Sequence, residues 1–182
     1  MKPLTSNEQE AVEFFRNLGA WFAERTIIDA CRKRITDEHV PCLKLLPDLD
    51  HLDLADTSIT DASMPTISSL TKLGLLSIGN TAITDSGATL LASLRSLRSL
   101  AVNGTRITDD STSTIGSLTS INMIFIGDTA ITDAGIQVLA NLRGLRAIEV
   151  HRTKITREGI TDFRQLVKGC LVRSDYGLFE PL

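Results

Sequence analysis

Six Ile-Thr pairs recur in this chain at an unvarying interval. They are Ile35-Thr36, Ile59-Thr60, Ile83-Thr84, Ile107-Thr108, Ile131-Thr132 and Ile155-Thr156, and every step is 24 residues with no insertion. A strict period of this length marks a chain of stacked units, because one such unit cannot bury its apolar face alone. Registering the units at residues 49, 73, 97, 121 and 145 aligns five full copies, and a degenerate sixth fits over residues 25–48.

In that register the fourth position holds Leu52, Leu76, Leu100, Ile124 and Ile148, and the sixth holds Leu54, Ile78, Val102, Ile126 and Val150. Apolar residues two apart predict a short strand. The Ile of each pair is the eleventh position. Apolar residues then recur at the sixteenth, nineteenth and twenty-second, as in Ile136, Leu139 and Leu142, the spacing of one helix face. Each unit therefore reads as strand, turn and helix. Stacking six of them places parallel strands at roughly 4.8 Å spacing on one side of a continuous core and helices on the other.

The stretch LRSLAVNGTRI, residues 97–107, matches Leu-x-x-Leu-x-Leu-x-x-Asn/Cys-x-Leu with one substitution once Val102 and Ile107 are taken as equivalent to Leu. On these residues the chain resembles the leucine-rich repeat family over about residues 25–168. The resemblance implies an α/β fold: a curved solenoid of about six repeats, with parallel strands on the concave face and helices on the convex face. The ninth position departs from the family, holding Thr57, Thr81, Thr105, Thr129 and Thr153 in place of Asn or Cys. A Thr hydroxyl can make the same kind of hydrogen bond to turn backbone. The sub-pattern Thr-x-Ile-Thr-Asp-x-Gly is similar to the short bacterial 24-residue repeats, which are similar in turn to those of F-box adaptor proteins.

An acid repeated beside a hydroxyl invites a catalytic reading, but its position predicts scaffold. The Thr of Ile-Thr-Asp stands where the turn gives way to the helix, so its hydroxyl is placed as an N-cap. The Asp that follows, at 37, 61, 85, 109 and 133, puts negative charge at the positive end of the helix dipole. Six similar caps along the solenoid edge account for the motif without a substrate.

The expected organisation is one domain: a helical cap over 1–24, repeats over 25–168, and a C-terminal cap and tail over 169–182. In the first segment Ser6 and Gln9 have capping-box spacing for a helix ending near Gly19. Val12, Phe15 and Leu18 share its apolar face, and Trp21 and Phe22 are expected to cover the open end of the core. At the other end Cys170, Leu171 and Val172 begin like one more strand. Tyr176, Leu178 and Phe179 either fold back as cap or extend as an apolar hook.

At 182 residues and 42% hydrophobic content the repeats leave no room for a second core. A net charge of -3 without a basic run argues against nucleic acid or an acidic membrane as partner. The N-terminus lacks a signal-peptide apolar run, and Cys31, Cys42 and Cys170 have no metal or redox spacing, so a reduced, cytoplasmic setting is expected. No cofactor, metal site or catalytic residue is expected. His51 and His151 lie four repeats, or roughly 19 Å, apart and cannot share a metal. The one constellation open to a hydrolase reading is Asp29 and Asp53, at the same strand position in adjacent repeats, with His51 beside them.

What remains is recognition. The third, fifth, seventh and eighth positions fall on or beside the concave face and are free of scaffold duty in this reading. Because the resembled family binds macromolecules there, a non-enzymatic protein-binding function is implied, of adaptor, inhibitor or immunity type. The candidate partner-binding residues are His51, Asp53, Asp56, Leu75, Asn80, Asn103, Met123, Phe125, Asp128, Glu149, His151 and Arg152. The partner is expected to be a protein, with the chain a monomer or weak homo-oligomer. The alternative is a structural subunit that associates with itself through its ends. Six strands give a face of about 450 Å² in projection, against about 800 Å² per partner in a standard interface.

Overall fold

The computed structural model describes residues 4–23 and 26–182. The expected boundary between cap and first repeat, at 24/25, lies outside the described residues. Among the described residues nine strands form one sheet in chain order: β1 (Trp21–Ala23), β2 (Ile27–Asp29), β3 (His51–Asp53), β4 (Leu75–Ser77), β5 (Ser99–Ala101), β6 (Met123–Phe125), β7 (Ala147–Glu149), β8 (Leu171–Ser174) and β9 (Gly177–Phe179). Strands β2 to β8 are parallel, and each residue pairs with the one 24 positions on, as Leu52 does with Leu76 and Leu76 with Leu100. The sequence period is thus the strand register. The terminal strands β1 and β9 run antiparallel to their neighbours.

The fourth, sixth and eleventh positions of the five full repeats are buried, as are Ile136, Leu139 and Leu142. The opposite side carries α2 (Met64–Ile67), α3 (Asp85–Ala88), α4 (Thr112–Gly116), α5 (Asp133–Leu139) and α6 (Arg157–Leu166). These are shorter than an unbroken 16, 19, 22 stripe suggests. Segments of 3₁₀ helix precede α2 and α4 and follow α3. Only α6 runs ten residues, and there the register slips: Leu166, at the twenty-second position, is 53% exposed while Val167 turns inward.

The N-terminal helix α1 (Ser6–Asn17) opens one residue earlier than the sequence suggests. Thr5 accepts from Glu8 N, and Glu8 accepts from Thr5 N, so this pair is the capping box, in place of Ser6 and Gln9. Its end follows expectation, since Gly19 sits at φ +86° just past the C-cap Leu18. Phe15 is fully buried and Phe22 packs on the core, but Trp21 does not. Its strand pairs Trp21 with Asp29, which turns the indole onto the exposed strand face, 60% accessible.

At the far end β9 folds back on β8. Phe179 pairs with Val172 and packs against the core under the Arg164 guanidinium, 5.3 Å from the ring centroid. Leu182 N donates to Lys168 O at 2.7 Å. Tyr176 and Leu178 remain exposed, the latter beside Arg173 on the strand face.

The Ile-Thr-Asp motif joins repeats as well as capping helices. Thr60, Thr84, Thr108, Thr132 and Thr156 each accept from a backbone N–H of the following turn, at 3.0–3.3 Å. The Asp carboxylate reaches sideways to the next repeat. Asp109 accepts from Thr132 N at 2.8 Å and Thr132 Oγ1 at 2.6 Å. Asp37, Asp61, Asp85 and Asp133 do the same for Thr60, Thr84, Thr108 and Thr156. The fifteenth position must leave room for that carboxylate. It is Ser63, Gly87, Ser111, Gly135 and Gly159: a Cβ on any of these glycines would collide with the Asp of the preceding repeat, while Ser63 and Ser111 donate to Asp37 and Asp85.

The row is closed at both ends. No preceding Asp exists for Thr36, and His39 at the fifteenth position supplies the acceptor, its Nδ1 lying 3.0 Å from Thr36 N. Thr36 is therefore the exception among the six expected helix caps. In the last repeat Arg157 stands where Asp would stand. The ninth-position Thr residues behave as expected, each donating to the carbonyl three residues back at 2.6–2.8 Å. Since Thr132 supplies both a cap and a donor to Asp109, Thr132→Ala should cost about 1–2 kcal/mol in chemical denaturation. An unchanged midpoint would remove both roles.

Candidate functional site

The concave face is a grid whose rows are set by the register. In the fifth-position row Asp29, Asp53, Ser77, Ala101, Phe125, Glu149 and Arg173 follow one another, one per strand. The third-position row runs Ile27, His51, Leu75, Ser99, Met123, Ala147 and Leu171. Because the terminal strands extend the sheet, nine strands at the same spacing give roughly 43 Å by 15 Å, about 650 Å². That is larger than a six-strand estimate, since β8 continues the register beyond the sixth repeat and the antiparallel β1 and β9 flank it.

Met123 and Phe125 face outward from β6, Met123 exposed and Phe125 half-buried, with Ser99 and Ala101 beside them on β5. Met123 is 39% exposed. On their C-terminal side lies a depression of about 170 Å³ lined by Met123, Phe125, Ala147, Ile148, Leu171, Glu149 and Arg173. Leu171 and Arg173 belong to β8 beyond the last full repeat, so a sequence reading restricted to six repeats does not include them.

The eighth-position residues do carry scaffold duty. Arg32, Asp56, Asn80, Asp128 and Arg152 have φ between 52° and 59°, and Gly104, at the same position, has φ 67°. This left-handed turn favours Asn, Asp and Gly, which explains much of their recurrence. Their side chains pair along the edge. Arg32 lies 3.5 Å from Asp56, Asn80 donates to Asp56 at 2.9 Å, and Arg152 grips Asp128 with two nitrogens. Hydrogen bonding by Arg152 holds the Asp128 carboxyl below the usual carboxylate range. Arg152 N donates to Asp175 at 2.6 Å and His151 Nδ1 lies 3.4 Å from the same carboxylate. Asp56, Asn80, Asp128, His151 and Arg152 are therefore tied into the edge, while Asn103 stands at its neighbouring seventh position.

The carboxylate pair open to a hydrolase reading is also committed to its own turns. Asp29 accepts from Cys31 N at 3.1 Å and Asp53 from Ala55 N at 2.9 Å. The structure brings Asp29 and Asp53 into direct register. His51 is paired with Ile27 and Leu75, one row away. The nearby Cys31 thiol has its pKa raised, first by desolvation and then by Asp53 and Asp56, which suppresses the nucleophilic thiolate. Among the described residues no group of three His, Cys, Asp or Glu side chains could hold a metal ion. No helix among them is long and apolar enough to cross a membrane.

No protein-family model matches the sequence, and no curated protein matches it. Solved structures do. An internalin (inlF) from Listeria monocytogenes superposes with a TM-score of 0.61 at 18% identity, over 93% of this chain and 54% of that one. Internalin C2 from the same organism gives 0.56 at 23% identity, over 81% of this chain and 70% of that one. The chain thus spans about half the length of the first. Internalins are leucine-rich repeat proteins. Their likeness concerns the fold, and it agrees with the register, the buried columns and the ninth-position hydrogen bonds: the chain folds as a leucine-rich repeat solenoid.

Proposed function

We propose that this chain is a non-enzymatic binding module that holds a protein partner against its concave face, in an adaptor, inhibitor or immunity-type role. The observation that carries this reading is the exposed Met123 and the half-buried Phe125 lining the 170 Å³ depression. The interaction-scaffold character of leucine-rich repeat folds supports it in general terms. The similarity of Thr-x-Ile-Thr-Asp-x-Gly to short bacterial repeats and to those of F-box adaptor proteins favours an adaptor in a bacterial cytoplasm, acting as a monomer or weak homo-oligomer. In this reading Leu75, Met123, Phe125 and Glu149 contact the partner from the strands, with His51 and Asp53 toward the N-terminal end. Asp56, Asn80, Asn103, Asp128, His151 and Arg152 form its rim.

Phe125→Ala tests it. A large aromatic among small neighbours can enter a partner's pocket, and such anchors cost at least about 2 kcal/mol on truncation. With the partner recovered from native lysate and identified by mass spectrometry, the variant should bind at least about thirtyfold more weakly and melt close to wild type. A lowered melting temperature with unchanged affinity would make Phe125 a packing residue. Self-association is the second reading, favoured by the exposed Trp21 on β1 and the exposed Tyr176 and Leu178 at the other sheet edge. Sedimentation over a concentration series separates the two.

A further inference from the structure

The depression beside Phe125 is too small for an ordinary small-molecule site. Its volume of about 170 Å³ falls below the roughly 300–1,000 Å³ of ligand pockets. With Met123, Phe125, Ala147 and Leu171 in its lining, it suits a single apolar side chain. The two charged residues at its edge, Glu149 and Arg173, are register partners of opposite sign.

The N-terminal half of the same face differs. Asp29 and Asp53 are register partners on β2 and β3, and the hydrogen bonds to their carboxylates come from Cys31 N and Ala55 N. Among the described residues neither forms an ion pair, whereas Asp56 faces Arg32 and Asp128 holds Arg152. The turn edge is therefore internally neutralised and the strand face keeps two uncompensated negative charges. Like charges one strand apart destabilise each other, and a cation brought between them relieves that repulsion.

We propose that the occupant of the concave face is a polypeptide segment with a Lys or Arg seated at Asp29 and Asp53 and an apolar side chain seated in the depression beside Phe125. This rests on the reading of the concave face as a protein-binding surface and specifies the chemistry of the partner. The depression is centred on β7; from β3 to β7 is four strand steps, roughly 19 Å, and from β2 five steps, roughly 24 Å. At about 3.3 Å per residue, an extended segment spans that distance in roughly six to seven residues. The spacing between cation and anchor is thereby set.

Trp21 is the only tryptophan of the chain, and it lies exposed on this face in register with Asp29. Its fluorescence reports occupancy of the acidic end. The experiment selects a displayed random-peptide library on the full chain, then titrates the synthetic consensus peptide into wild type, Phe125→Ala and Asp29→Asn/Asp53→Asn at low and high salt. Asn keeps the acceptor for each turn N–H, and circular dichroism checks that the fold is retained. The expected consensus has Lys or Arg roughly six to seven residues from Leu, Met or Phe. The double Asn variant should bind on the order of tenfold more weakly and lose most of the salt dependence.

A consensus without a cation, or affinity unchanged in the double Asn variant, overturns the assigned partner chemistry while leaving concave-face binding intact if Phe125→Ala still weakens it. Peptides indifferent to all three substitutions, or an empty selection, overturn both. Dimerisation abolished by the same substitutions would put a second copy on the face and likewise overturn the proposal.

Discussion

Asp85→Ala is expected to lower the stability of the chain by about 2–4 kcal/mol, more than loss of a helix cap alone. The carboxylate accepts from Thr108 N at 2.8 Å, from Thr108 Oγ1 at 2.9 Å and from Ser111 Oγ, all in the next repeat. Hydrogen bonds to a charged acceptor are worth roughly 1.5–3 kcal/mol each, and partial exposure of the site reduces their sum. Alanine leaves a backbone N–H and two hydroxyls at a repeat junction with no acceptor. Asp85→Asn keeps an acceptor oxygen and should fall between wild type and Ala. Equal stability of all three in urea denaturation would mean that the junction is held by the apolar core alone.

The same carboxylates make stability depend on pH. Burial acts to raise the pKa of Asp37 and Asp85, but hydrogen bonds from Ser63 and Thr60, and from Ser111 and Thr108, outweigh it and hold both below the ordinary 3.8. Each group takes up a proton more readily in the unfolded chain than in the folded one. Their contribution is therefore fully present above about pH 3.8 and is lost as pH falls through the lower folded value. The gap between wild type and Asp85→Ala should shrink over that acid range. A gap that stays constant there would contradict the hydrogen-bonding account.

Deletion of residues 175–182 is the second large effect, expected to cost about 2–4 kcal/mol and lower the melting temperature by roughly 5–15 °C. It removes β9 from the sheet, lifts Phe179 off the core and takes Asp175 from Arg152 N. The bared edge of β8 (Leu171–Ser174) would then be open to pairing with another chain, so the truncated protein should also associate. A truncated chain that stays monomeric and melts as before would show that the tail serves something other than closure.

The solenoid was legible because its core is periodic. Leu52, Leu76 and Leu100 occupy one column, and any reading that found the period placed them together. The role of Asp85 was harder to see, since an acid in the first turn of a helix already has a sufficient local explanation in the dipole. Its reach to Thr108 depends on strand spacing, which local sequence does not reveal. A signal was present nevertheless: the alternation of Ser63, Gly87, Ser111, Gly135 and Gly159 at one position indicates limited space. The recurrence of Asp56, Asn80 and Asp128 likewise pointed to a left-handed turn, obscured by Arg32 and Arg152 in the same row. Trp21 and Leu178 were misplaced or unplaced because β1 and β9 run against the period.

The row of Asp–Thr bridges has a direction, since each repeat offers a carboxylate to the unit after it and a Thr to the unit before it. An interior unit duplicated in frame would find both partners waiting, and nothing in its own chemistry would register that the array had grown. A copy of the last unit inserted there would instead bring Arg157 against a Thr, and a copy of the first would bring His39 into the space that Ser63 or Gly87 leaves for an aspartate. The interior is thus indifferent to how many turns the protein has. Among the bridges, the count is held by the two residues that end the row.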